Sequence, residues 1–349
     1  MALRDDDGAP GEAAGSPALI VRLLAAAERH RVGLRRLGVA MSVVIVSFSV
    51  FIFARTLVKI DLAQFESAFR ATGSDQIFAA LGLACVSYFA LTGYDALALR
   101  HLGVRVPYRL TALASFTSYA ISFTLGFPLV TGGAVRFWIY GPAGLSAGKI
   151  ASLTIVAGIT FWLGMGLVLA SGFLFDASAI ADINQLPLYV NRAIGLALIG
   201  VLAAYLIWVT RLRAKGRGVV MHFRLPGPWL TLGQTALGVI DVCAASGALY
   251  VLLPAGHAVR FAAFASLYSF ASMLGIASHS PGGLGVFEAT MIKGVGGSPD
   301  TLLAALLLFR VVYYIVPFVF ALALLGAHEA ARRWRSLSEA IEKARLEDD

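Results

Sequence analysis

Apolar residues gather into runs of about 20 separated by short polar breaks, instead of recurring at the spacing of a surface helix. Such a run crosses a hydrocarbon core of about 30 Å at 1.5 Å per residue. The pattern predicts full spans at Leu37–Val58, Ile77–Leu99, Ile150–Phe175, Val190–Val209, Trp229–Leu253 and Thr301–Leu325. Two further apolar stretches, Thr111–Ala147 and Phe261–Pro299, are cut by Gly/Pro clusters, "FPLVTGGAVRFWIYGPAGLS" and "SHSPGGLGVFEATMIKGVGGSP". Glycine lowers helix propensity and proline removes a backbone donor, so each stretch reads as two half-helices flanking unwound chain at its Gly-Gly. Runs such as "SVVIVSFSVFIF" do not alternate in polarity, which excludes a transmembrane barrel. The predicted fold is an all-α polytopic integral membrane protein.

Composition agrees: 58% of the 349 residues are hydrophobic, 14% are charged, and mean hydropathy is +0.79. The net charge of +8 is no argument for nucleic acid, because cationic residues collect in cytoplasmic loops of membrane proteins. Arg211, Arg213, Lys215, Arg217 and Arg224 share one loop without an acid, and Arg100, Arg105 and Arg109 share another. The loop with Asp176 and Asp182 has no base. Placing the basic loops inside and the acidic one outside makes the interrupted stretches two re-entrant hairpins, or extra pairs of crossings, facing opposite sides. Both termini are then cytoplasmic, in agreement with Arg332, Arg333 and Arg335 after the last span. Residues 1–36 are too polar for a signal peptide, and the run that follows is too long.

Aligning Gly132-Gly133 with Gly282-Gly283 sets "TGGAVRFWIY" over "PGGLGVFEAT". A repeat of opposite orientation built on broken helices is the pattern of inverted-repeat transporters with a mid-membrane site. Arg136, Asp241, Glu288 and Arg310 lie where hydrocarbon is expected. Four exposed charges would cost on the order of 10 kcal/mol, so they face a protein interior or a wet cavity. Two readings stand: the arginines bind an anionic headgroup while the acids orient them or couple protons, or the four form structural ion pairs.

Thr131 and Ser280 are candidate caps of the second half-helices, with Pro281 in the first turn and Gly132, Gly133, Gly282 and Gly283 leaving backbone N–H groups bare for an anion. Arg136 can add a bidentate fork, with Tyr140 one turn on. Glu288 sits about two turns into its half-helix, better placed for an arginine than a phosphate. In "FRVVYYIVP", Arg310 is backed by Tyr313 and Tyr314, and Pro317 frees the carbonyl of Tyr313 from the helix ladder. Asp95, near Arg100, reads as a structural or interfacial charge. Cys85 and Cys243 read as packing residues.

The stretch "AGLSAGKI" lacks the residues and preceding strand of a phosphate-binding loop. The six histidines have no metal spacing, and of them only His279 lies beside a break. No catalytic set, metal or cofactor is therefore expected.

These motifs, with "SPGGLGVFEATMI", "LLLFRVVYYIVPF" and "VIDVCAASGALYVLLP", resemble the membrane region of lysylphosphatidylglycerol synthase/flippase proteins over Leu37–Leu325. The resemblance implies a lipid-translocating unit and carries over to Gly132, Gly133, Arg136, Asp241, Pro281, Gly282, Gly283, Glu288 and Arg310. It divides the chain into a cytoplasmic tail at 1–36, a lipid-translocation domain at 37–325 and a charged cytoplasmic helix at 326–349. The two-part family members append a cytoplasmic aminoacyltransferase domain that this sequence does not carry, so synthesis of the aminoacyl lipid is not expected.

The expected function is a flippase in a bacterial-type inner membrane, moving an anionic or aminoacylated phospholipid, or a related lipid-linked headgroup. Membrane lipids are then its partners, and a separate lipid synthase and a homo-oligomer are compatible with it. The alternatives are an integral-membrane enzyme acting on a lipid headgroup, with Glu288 or Asp241 as base, and a non-transporting scaffold.

Overall fold

The computed structural model describes Phe69 and residues 72–348, except 127, 215–218, 221–222, 225–226, 255–256, 258 and 279–280. The expected first span, the N-terminal tail, Ser280 and His279 lie outside the described residues. The described chain is helical apart from loops and one antiparallel pair of two-residue strands, β1 (Val219–Val220) and β2 (Phe223–Arg224).

The first half runs α1 (Ser74–His101), α2 (Tyr108–Leu125), α3 (Pro128–Tyr140) and α4 (Ala147–Phe175). The short α5 (Ala177–Asn184) and the long α6 (Leu188–Ala214) follow. The second half runs α7 (Pro228–Tyr250), α8 (Phe261–Ala277), α9 (Val286–Val295) and α10 (Pro299–Phe309). A π-helical turn, Arg310–Ile315, joins α10 to α11 (Val316–Asp348). Among the described residues, five helical units are long and apolar enough to cross a membrane: Ser74–His101, Ala147–Phe175, Leu188–Leu212, Pro228–Tyr250 and Pro299–Trp334. They coincide with the last five expected spans. The expected separate C-terminal helix is instead continuous with the last span, since α11 runs through Gly326 unbroken.

Local chemistry explains the ends. Ser146 caps α4 by accepting from the Lys149 backbone N–H at 3.4 Å. Pro228 and Pro299 open α7 and α10, where a missing N–H costs nothing. Cys85 faces outward instead of packing, and Cys243 is half-buried.

The first break differs from the expectation. Gly132 and Gly133 lie inside α3, and the interruption falls at Gly126, whose φ of 81° is left-handed and suits glycine alone. Pro128 then starts α3. Thr131 is not a cap; its hydroxyl donates to the Gly126 carbonyl at 3.1 Å. The second break is where the sequence placed it, with Gly282, Gly283 and Gly285 all at positive φ.

The core is held by close crossings at small residues. At the crossing of α4 and α7, a Cβ on Gly164 or Gly238 would overlap backbone atoms of the partner helix. Where α4 meets α8, Ser266 donates to the Leu169 carbonyl at 2.9 Å, and Gly172 leaves the room. Small interfacial residues of this kind let helices associate where hydrophobic burial gives little advantage over lipid. By contrast α6 is peripheral, with Leu196, Val201, Ile207 and Trp208 exposed. Gly164→Ala should therefore lower stability by about 1–3 kcal/mol, as overpacked cores do. Gly158→Ala on the same helix has open space and should be neutral or stabilising. Thermal unfolding of the two variants in detergent checks this difference.

Candidate functional site

The charges predicted to lie in hydrocarbon are gathered inside the bundle, in partnerships the sequence revealed only partly. Arg136 on α3 is 2% exposed and forks onto Asp95 of α1, which is fully buried. Its Nε donates to Oδ2 at 2.9 Å and its Nη2 to Oδ1 at 2.7 Å. Tyr140 donates to the same Oδ2 at 3.3 Å, and the Tyr119 ring lies 4.8 Å from the guanidinium carbon. Asp95 is thus the buried partner of Arg136, 41 residues away, and not an interfacial charge beside Arg100.

Gly132 belongs to this arrangement. A Cβ there would stand 2.8 Å from Ser122 Oγ and 3.1 Å from Arg136 Nη1. The glycine admits the guanidinium between α2 and α3; it does not unwind the helix. A Cβ on Gly133 would meet only Thr154 Oγ1, at an ordinary 3.8 Å.

The second pair joins α9 to the π turn. Arg310 donates to Glu288 Oε1 from Nε at 2.8 Å and from Nη2 at 2.6 Å, and to the Gly282 carbonyl from Nη1 at 2.5 Å. Glu288 is in the first turn of α9, not two turns in, and its Oε2 accepts from the Gly285 N–H at 2.8 Å. It therefore caps its own helix while holding the arginine. The Tyr314 ring lies 4.6 Å from the guanidinium carbon. This pair is partly open, with side chains 10% and 15% exposed.

The two breaks meet. A Cβ on Gly282 would touch the carbonyl oxygens of Phe123 and Thr124, at the end of α2 just before Gly126, at 3.4 and 3.5 Å. Gly283 lies against Gly275 of α8. The side chain of Pro281 is outside the described set, and its backbone forms part of the short turn Pro281–Gly283.

Asp241 stands apart from both pairs. It is 2% exposed and accepts from Ser87 Oγ at 2.5 Å and Tyr94 at 2.8 Å. Ser87 also hydrogen-bonds Tyr313 at 2.6 Å. Pro317 has the anticipated effect: the Tyr313 carbonyl accepts from Tyr88 at 3.1 Å. Tyr94 packs edge-on against Tyr119 at 5.9 Å, and Tyr313 against Tyr314 at 5.5 Å. A continuous polar and aromatic row thus links Arg136 and Asp95 to Asp241 and on to Arg310 and Glu288. Sequence reading missed Ser87, Tyr88, Tyr94 and Tyr119, whose common signal is a hydroxyl inside an apolar span, and it had Asp95 as a structural or interfacial charge without its partner Arg136.

Beside the first pair, a cleft of about 450 Å³ opens at the turn from α1 to α2. Arg100, Arg105, Tyr108 and Thr111 line it, and Thr111 neighbours Tyr140. Among the described residues no group of three or more His, Cys, Asp or Glu side chains is placed to hold a metal.

The family profile described as the lysylphosphatidylglycerol synthase TM region matches residues 37–321. The chain is 34% identical over 288 residues to the uncharacterised protein slr0712 of Synechocystis sp., covering 78% of this chain and 87% of that one. It is 29% identical over 297 residues to the inner membrane protein YbhN of Escherichia coli, covering 81% and 89%. It is also 25% identical over 242 residues to a phosphatidylglycerol lysyltransferase of Staphylococcus haemolyticus, covering 67% of this chain but 27% of that protein.

Burial makes the first pair interdependent. Arg136→Ala leaves the Asp95 carboxylate uncompensated and should cost about 3–5 kcal/mol. The joint change Asp95→Asn with Arg136→Gln should cost clearly less, because no charge is stranded. Unfolding midpoints of the single and double variants check the order.

Proposed function

The chain belongs to the lysylphosphatidylglycerol synthase TM-region family, and on that premise we propose that it moves an anionic or aminoacylated phospholipid between the leaflets of a bacterial inner membrane. The observation that carries this reading is the meeting of the two breaks, with the Arg310–Glu288 pair at the second and the Arg136–Asp95 pair on the short helix that follows the first. At 1.5 Å per residue, α3 with 13 residues and α9 with 10 are about 20 and 15 Å long, too short for a core of about 30 Å. In this reading each hairpin is re-entrant, and the two face each other from opposite sides.

In this reading a lipid phosphate is first held in the cleft by Arg100 and Arg105, on the cytoplasmic side if the basic loops lie inside. It then exchanges for a carboxylate on a guanidinium, since a phosphate offers the same bidentate geometry as Asp95 or Glu288. The partly open Arg310 and Glu288 are poised for that exchange, while Arg136 and Asp95 are closed. Gly132, Gly133, Pro281, Gly282 and Gly283 keep side chains out of the headgroup path, Tyr140, Tyr313 and Tyr314 line it, and the acyl chains remain in the bilayer.

A second reading draws on one observation: each guanidinium fork is already filled by a carboxylate, which is what a non-transporting scaffold requires. Purified protein in liposomes, with labelled anionic and zwitterionic phospholipids, separates the two. Wild type should exchange anionic lipid in preference. Arg310→Gln with Glu288→Gln, which strands no charge, should slow exchange at least about tenfold, the scale of one charge-assisted hydrogen bond. Arg100→Gln with Arg105→Gln should weaken the anionic preference. A folded wild type that moves none of these lipids would favour the scaffold.

A further inference from the structure

We infer that Asp241 is a proton-binding site whose occupancy is relayed through Ser87 and Tyr313 to the helical turn that carries Arg310. The site stands on its own geometry; its use, coupling protons to headgroup passage, rests on the proposed function.

Among the described residues, Asp241 is the buried carboxylate left without a cation. Asp95 and Glu288 each hold an arginine fork, whereas Asp241 makes no salt bridge among the described residues. A structural carboxylate in hydrocarbon is expected to have a charged partner. This one has two hydroxyls, Ser87 at 2.5 Å on Oδ1 and Tyr94 at 2.8 Å on Oδ2. Hydroxyls donate or accept by rotating, so they satisfy both protonation states of the acid.

The hydrogen-bond order then depends on the proton. With Asp241 ionised, Ser87 gives its single proton to Oδ1, and Tyr313 must donate to Ser87 Oγ across the 2.6 Å contact. A proton added to Oδ1 converts the carboxylate to the neutral acid, and that O–H donates to Ser87. Ser87 then donates to Tyr313, whose own proton has to turn to another acceptor. One proton is gained, no covalent bond other than O–H forms or breaks, and the row reverses.

What lies at the far end gives the reversal a consequence. Tyr313 is in the π-helical turn Arg310–Ile315, closed by the Val316 N–H bonding to the Val311 carbonyl. Such turns are locally rewound helix and recur at functional sites. The Tyr313 ring stacks on Phe309 at 5.1 Å and meets Tyr314 at 5.5 Å, and Tyr314 lies under the Arg310 guanidinium. A shift of the Tyr313 hydroxyl therefore bears on the residues that seat Arg310.

The ionisable groups around Asp241 are neutral phenols and a thiol: Tyr88 and Tyr94 from α1, Tyr119 from α2, Tyr268 from α8, Tyr313 from the π turn, and Cys243 on its own helix. The nearby charges, Arg136 with Asp95 and Arg310 with Glu288, are each already paired. Among the described residues no neighbour supplies a fixed charge that would hold Asp241 in one state.

The test is an infrared titration of the purified full chain in lipid, following the C=O band of a protonated carboxylic acid through neutral pH. Wild type and Glu288→Gln should both show a titrating band, absent from Asp241→Asn. Asp241→Glu should restore one, and Ser87→Ala or Tyr313→Phe should move its midpoint; these two keep the test alive should Asp241→Asn fail to fold. In parallel, leaflet exchange by wild type should respond to a pH gradient, and exchange by Asp241→Glu should respond likewise. No titrating band in wild type, or one that persists in folded Asp241→Asn, overturns the proton site, even if lipid exchange is robust. A titrating band that depends on Asp241, with no exchange of any lipid, keeps the proton site and removes the transport reading instead.

Discussion

A charge inside hydrocarbon has to be answered by another group of the same protein, and the interior of this bundle is arranged around that requirement. Among the described residues Arg136 and Arg310 are the two buried guanidiniums, and each brings a carboxylate from another helix to it. Asp95 ties α1 to α3, and Glu288 ties α9 to the π turn. In both pairs the short helix of a hairpin is clamped to a long one, while the breaks themselves fall at glycines of positive φ. The charges add to a packing that already buries Val135 and Ile139 of α3 and Phe287 and Met291 of α9.

The two halves share an order of elements but not a distribution of charge. Each has a long helix, a hairpin with a short second arm, and another long helix. In the first half the short arm carries the cation and the preceding long helix carries the acid. In the second the short arm carries the acid and the following long helix carries the cation. Asp241 occupies on α7 the place in the order that Asp95 has on α1, yet the arginine of its half is already held by Glu288. The exchange of sign on the short arms is what leaves Asp241 with hydroxyls alone.

How far the sequence could be read follows from the range of each interaction. Spans are a property of about 20 consecutive residues, so five of the expected six coincide with helices here and the sixth lies outside the described residues. The freed carbonyl of Tyr313 was legible because proline acts four residues back along its own helix. Which hydroxyl would take it was not, since Tyr88 is 225 residues away. The first break was misplaced for a related reason: glycine serves both unwinding and close approach, and at Gly132 the neighbour is a side chain from another helix. The local signal for the true break was Gly126 followed two residues later by Pro128, a helix end and a helix start in succession. The pairing of Asp95 with Arg136 is tertiary, and sequence spacing carries nothing about it.

The π turn is where these constraints converge. Pro317 cannot close an ordinary α-helical bond to Tyr313, whose carbonyl is taken by Tyr88, and it stands two residues after the widened turn Arg310–Ile315. The rewinding settles which way Arg310, Tyr313 and Tyr314 point relative to one another. Arg310 reaches Glu288 and the second break, Tyr313 reaches Ser87, and Tyr314 lies beneath the guanidinium. A regular α-helix would advance each residue by 100° and could not be exchanged for this turn without re-aiming at least one of the three. The widened turn in the last span is therefore what lets one helix address the ion pair and the uncompensated aspartate together.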